Sequence, residues 1–180
     1  MKLDSKLLAS LTSIDEEAAN RFPEEYVDSG LGAIGLILLE SPENYGYDET
    51  PKNSIAFAHT GMGGVHYSLI IEDGAATNES PVVMTVPGEE IPNCIVGENL
   101  MDFLRLGCLQ GYELIQNIRT RPEEQLPKYS SINEQYDERC NGILNYLTES
   151  LKLTPWKDAL SHFNELQSSR MQVLDVPKSI

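Results

Sequence analysis

IAFAHTGMGGVHYSLIIEDG, residues 55–74, is the stretch whose reading decides the fold. IAFAH at 55–59 and VHYSLIIE at 65–72 are short apolar runs with β-branched and aromatic side chains. GMGG at 61–64 separates them, so the pattern predicts strand, tight turn, strand: a hairpin. Asp73-Gly74 marks the next turn, and PVVMTV at 81–86 reads as a further strand. Upstream, AIGLILL at 33–39 is bounded by glycine and Pro42 and predicts a buried strand, followed by a polar loop over 41–53. Consecutive short strands joined by tight turns favour an antiparallel meander over strand–helix–strand crossovers.

Helical spacing flanks this midsection. Leu3, Leu7, Leu8, Leu11 and Ile14 predict an amphipathic opening helix, with Ser13 and Glu16 as a capping box that starts a second turn of helix. Pro23 and Gly30 frame a short helix, PEEYVDS. Leu100, Phe103, Leu104 and Cys108 share a helical face that Gly107 and Gly111 interrupt, and 112–118 reads as a further turn or two. After a polar link from Pro122 to Pro127, Ile132, Tyr136, Cys140, Ile143, Leu144, Leu147 and Leu151 repeat at three and four. Thr154-Pro155 then reads as the start of a last helix with Trp156, Leu160, Phe163 and Leu166 on its apolar face. The last two helices, over about 130–170, are expected to form an antiparallel pair against the body. The tail VLDVPKSI is expected to be loose or to add an edge strand. The expectation is one α+β domain over residues 1–180, with a mostly antiparallel central sheet and flanking N- and C-terminal helices.

Composition bounds the function. A chain of 180 residues with 41% hydrophobic side chains can build a core. No apolar run approaches the roughly 18 residues of a membrane helix, and the N-terminus lacks the pattern of a secretory signal, so the cytoplasm is the expected compartment. Cys94, Cys108 and Cys140 are odd in number and lack metal-ligand spacing, which predicts buried reduced thiols. The formal net charge is −15. Nucleic acid and anionic membrane surfaces are therefore not expected as ligands, since both need concentrated Lys and Arg. No Lys or Arg lies between Lys52 and Arg105, whereas Glu72, Asp73, Glu79, Glu89, Glu90, Glu98 and Asp102 do. Such a run either solubilises a surface or steers a basic partner.

Chemistry-bearing motifs are few. GMGG lacks the Gly-Lys-Ser/Thr of a phosphate loop and leads into a strand, not a helix. His59 and His66 flank the turn and can face each other; with Glu72 or Asp73 they would make a metal site, the basis of an alternative reading as a small metal-dependent enzyme. His162 stands alone and is expected on the solvent side of the last helix. No nucleophile elbow is present, and the neighbouring carboxylates Glu24-Glu25, Glu89-Glu90 and Glu123-Glu124 are of the solvated kind. No cofactor, metal or catalytic residue is expected.

Two segments carry a resemblance. IAFAHTGMGGVHYSLIIEDG, and VPGEEIPNCIVGENLMDFLRLGC at 86–108, are similar in order and spacing to the SUKH superfamily, which includes bacterial immunity proteins and a fungal regulator of cell-wall glucan synthesis. The matching residues are Phe57, Ala58, Gly61, Gly63, Gly64, Tyr67, Val96, Asn99, Leu100, Phe103 and Leu104, about a third of the chain being covered. The family's glycine turn usually carries an aspartate where Met62 and Gly63 stand here, and RFPEEY at 21–26 approximates its Leu-Pro-x-x-Tyr helix with Phe22 in place of leucine. The resemblance implies an α+β domain that binds a protein partner. For most bacterial members that partner is a toxin, often a basic nuclease, neutralised by direct contact; the fungal relative implies a regulatory scaffold with endogenous partners instead. Glu72, Asp73, Glu79, Glu89 and Glu90, at strand ends and loops, are the expected contact face for a basic protein.

Overall fold

The computed structural model describes residues 2–4, 6–23 and 30–176, the first three as backbone only. Among the described residues the order is β1 (Lys2–Asp4), α1 (Lys6–Arg21), β2 (Ile37–Glu43), β3 (Ser54–His59), β4 (His66–Ile70), β5 (Ala75–Thr77), β6 (Val82–Thr85), β7 (Asn93–Gly97), α2 (Leu100–Gly107), α3 (Pro122–Gln125), α4 (Glu138–Leu151) and α5 (Ala159–Arg170). Strands β2-β3-β4-β6-β7 form one sheet in that order, and every pair in it is antiparallel. This is the predicted α+β architecture, a meander with helices before and after it. No helix among the described residues is long and apolar enough to cross a membrane.

Alternation along the strands gives the sheet two unlike faces. Phe57 and Tyr67 point toward α2, where the Phe103 ring lies 4.7 Å from Tyr67, 5.9 Å from Phe57 and 5.3 Å from Tyr112. All four rings are buried, and the two phenols are satisfied by backbone: Tyr67 Oη donates to Tyr112 O (2.7 Å) and Tyr112 Oη to Leu104 O (2.8 Å). Asn99 caps α2 by accepting from Asp102 N at 2.9 Å. Residues one step along each strand, His66, Ser68, Val83, Thr85 and Asn93, point the other way. At the end of the sheet where β4 begins, that second face is covered by the loop over 44–53, not by a helix.

Several expectations are corrected. Residues 2–4 are not helical: β1 pairs in parallel with β5, and α1 starts at Lys6. The Ser13 and Glu16 capping box is absent. The helix runs unbroken to Arg21 and the Ser13 hydroxyl donates to Ala9 O at 3.3 Å, so there is no orphan N–H for it to cap. The run 33–39 divides into a 3₁₀ turn, Gly30–Ile34, and β2. Gly35 separates them at φ +77, where a Cβ would stand 2.3 Å from Glu113 N; only glycine permits that approach. β7 was not expected, because its short apolar core is masked by Pro92 and two glycines nearby. The helix expected from Ile132 begins at Glu138, capped by Asp137, and Ile132 is 64% exposed. Asp158, not Thr154, caps α5, and Trp156 lies ahead of it. The polar link at 122–127 forms α3 and leads into a 3₁₀ turn, Leu126–Ser130, that buries Leu126 and Tyr129. The last two helices are not a hairpin: α4 packs chiefly on Gly30–Ile34 and α1, α5 chiefly on β7. The helix expected at PEEYVDS, and the end of the tail, lie outside the described residues.

Both outer strands are managed. β2 is irregular between Leu38 and Glu43, where the register with β3 shifts. On β7, the Gln167 amide of α5 donates to Ile95 O (2.7 Å) and accepts from Ile95 N (3.1 Å). The chain's last described segment is held by Asn53, whose amide donates to Val173 O and accepts from Asp175 N, both at 2.8 Å.

Candidate functional site

Register decides which loops meet. His59 pairs with Ile37 and His66, His66 with Thr85, and Thr85 with Asn93. The turn over 60–65 and the turn over 86–92 therefore lie at the same end of the sheet. The 44–53 loop joins them there through specific bonds. Glu49 Oε1 accepts from Gly88 N (3.0 Å) and Glu49 O accepts from the Asn93 amide (2.9 Å), while Thr85 Oγ1 donates to Asn93 Oδ1 (2.7 Å). The Gly88 contact holds the Glu49 carboxyl below its ordinary pKa. Gly64, at φ +73, would drive a Cβ to 2.4 Å from Tyr47 Oη, so the turn and the loop fit only with glycine there.

His66 stands at the centre. Its side chain is fully buried, with Nδ1 2.8 Å from Gly64 O and Nε2 3.0 Å from Thr50 Oγ1. A carbonyl oxygen only accepts, so Nδ1 carries the proton, and Nε2 accepts from the Thr50 hydroxyl. The Tyr45 ring lies tilted against it at 4.5 Å and the Tyr47 ring is stacked near-parallel at 5.9 Å. Burial, with a smaller push from His59, lowers the His66 pKa. His59 does face His66, as expected, but Glu72 and Asp73 lie at the other end of β4. With both His66 nitrogens occupied by protein groups, this pair has no lone pair at His66 to offer a metal. No cluster of three metal-ligating side chains occurs among the described residues.

The five expected contact carboxylates are all exposed but do not form one face. Glu72 and Asp73 follow β4, and Glu79 precedes β6, at the far end of the sheet. Glu89 and Glu90 lie in the 86–92 turn. The four residues of β6 intervene, about 13 Å of extended chain. Glu89 is further neutralised by Arg119, whose Nη2 lies 3.0 Å from Glu89 Oε2 and whose Nη1 donates to Ile91 O at 2.8 Å. β6, between Glu79 and Glu89, separates what the sequence places within twenty residues. What does gather with Glu89 and Glu90 is Asp48, Glu49 and three exposed apolar side chains, Tyr47, Met62 and Ile91, half of the large hydrophobics exposed among the described residues. Sequence reasoning passed over the loop that supplies Tyr47, Asp48 and Glu49; its signal was two tyrosines beside acids in an otherwise polar segment.

A second constellation was also missed. His162 is half-exposed but does not stand alone: its Nε2 lies 2.8 Å from Asp102 Oδ2, and its ring meets that of Trp156 edge to face at 4.4 Å. The Asp102 carboxylate also accepts from Trp156 Nε1 (2.9 Å) and Glu98 N (2.9 Å). They line a cleft of about 580 Å³ with Arg105 and Lys157. The carboxylate is consumed by clasping α2 to the segment ahead of α5, which is a structural task. Two of the thiols are buried as expected, and burial pushes Cys94 up to about 12 and Cys108 up to about 11; Cys140, against expectation, is only half-buried. The chain matches no protein-family model, no curated protein and no solved structure at a significant level.

Proposed function

We propose that this chain is a protein-binding module that takes a basic protein partner on the end of the sheet formed by the 44–53 loop and the 60–65 and 86–92 turns. The observation that carries the reading is the co-location there of Tyr47, Met62 and Ile91 with Asp48, Glu49 and Glu90, on loops pinned to a rigid sheet. Exposed aromatic and aliphatic side chains supply contact area, and surrounding carboxylates speed encounter with a positive surface. The net charge of −15 extends the same field over the molecule. In line with the SUKH resemblance, the partner is a toxin domain neutralised by occlusion.

The test is association of the purified chain with toxin-like products of adjacent reading frames, measured by surface plasmon resonance at low and high salt. Asp48→Lys with Glu90→Lys should slow association about tenfold at low salt. Met62→Asp with Ile91→Asp should speed dissociation. Glu72→Lys with Asp73→Lys, at the far end, should leave both rates near the parent's. Equal losses from the two ends would refute the location. Binding of several endogenous proteins and no neighbouring toxin would replace immunity with a regulatory scaffold.

A further inference from the structure

The Thr50–His66–Gly64 bridge is what ties the 44–53 loop to the glycine turn. We propose that His66 is a proton-operated latch on the binding end of the sheet: when its imidazole takes a second proton, the loop carrying Tyr47 and Asp48 releases from the turn carrying Met62. This rests on the proposed function only for its consequence, loss of the partner on acidification; the release itself is a property of the free chain.

The geometry favours the neutral ring. Gly64 O holds the proton on Nδ1, and Nε2 receives the Thr50 hydroxyl. A proton on Nε2 turns an acceptor into a second donor facing that hydroxyl, which must reverse and find another acceptor inside a buried site. The Gly64 carbonyl favours the added charge, but burial outweighs it, and no carboxylate acts on the ring to balance it. From β3 the facing group is His59; from the loop, the neutral phenols Tyr45 and Tyr47; from β6, the uncharged Thr85. The Glu49 carboxylate of the loop is turned to Gly88 N. A buried cation without a counter-charge is relieved by exposure to water, and the cheapest exposure is through the surface loop, not the sheet.

The sign follows from linkage. The native pKa lies below the ordinary value of about 6.5, so the open form binds the proton first. Between pH 6.5 and the native pKa, the opening constant should rise about tenfold for each pH unit lost. Above 6.5 it should be flat.

The experiment uses the whole free chain. Imidazole NMR titrates His59, His66 and His162 separately, while hydrogen exchange, corrected for intrinsic rate, follows the amides of Thr50, Val65 and Gly88 against Tyr67 in the sheet. The latch predicts that the three loop amides lose protection as pH falls below 6.5, that Tyr67 does not, and that the loss levels off at the His66 midpoint. His66→Gln, which keeps a donor and an acceptor without a titrating proton, should abolish the pH dependence. Should that variant fail to fold, the wild-type chain still decides. Loop protection that ignores pH, or that follows His59 or His162 instead of His66, overturns the proposal. No partner enters the measurement, so failure of the latch leaves the binding surface standing, and failure of the surface leaves the latch standing.

Discussion

The two faces of the central sheet are built by opposite rules. One, under α2, is a cluster of aromatic rings, Phe57 edge-on to Phe103 and the two tyrosines tilted against it, with each phenol handed to a backbone carbonyl. The other, under the 44–53 loop, buries His66, Thr85, Asn93, Thr50 and Ser68. The cover explains the contrast. A helix satisfies its own backbone and can present a purely apolar stripe, so the strands beneath it are apolar. A loop brings unsatisfied N–H and C=O groups, which the sheet must meet with polar side chains. The helix face confers stability by area; the loop face confers a defined loop conformation by directional bonds, which is what a recognition surface needs.

This contrast can be broken experimentally. The largest effect is expected on the helix face: Phe103→Ala should cost about 3–5 kcal/mol in urea unfolding, from lost burial plus the cavity left behind. A loss below about 1 kcal/mol would mean that the ring cluster is not the load it looks to be. On the loop face, Thr85→Val leaves Asn93 Oδ1 buried without its donor and should cost about 1–3 kcal/mol, with hydrogen exchange at Gly88 rising more than in the sheet. A uniform rise would show that the polar network serves global stability instead. The smallest effect sharpens the rule. Ser68 Oγ is buried on the loop face with no hydrogen-bond partner, so Ser68→Ala should change stability by no more than about 0.5 kcal/mol, or raise it.

The same contrast explains what the sequence could show. The ring cluster was legible, because Phe57, Tyr67 and Phe103 fall in strands and a helix marked by period and by glycine turns. The hairpin at GMGG and the antiparallel order were legible for the same reason. β1 was not, since a three-residue strand is made by its partner, β5, and not by its own pattern. Nor was the start of α4, where Ile132 keeps the helical repeat yet faces solvent. The candidate site was the least legible part. Its residues come from three segments that only strand register brings together, and the acidic residues that look clustered along the chain are sent to opposite ends by the reversal of β4 into β6. His162 shows the same limit: a lone histidine in a sequence gives no hint of a carboxylate sixty residues upstream.

Gln167 does more than hold α5 in place. Its carboxamide turns an N–H and its oxygen toward Ile95 and meets both hydrogen-bonding groups of that residue, while Nε2 also donates to Phe163 O at 3.3 Å. β7 thus finds in its own chain a one-residue imitation of the strand that would otherwise lie beside it. A second molecule seeking to extend the sheet there must first peel away a helix, so even a crowded solution offers no ready template for fibril growth along that rim.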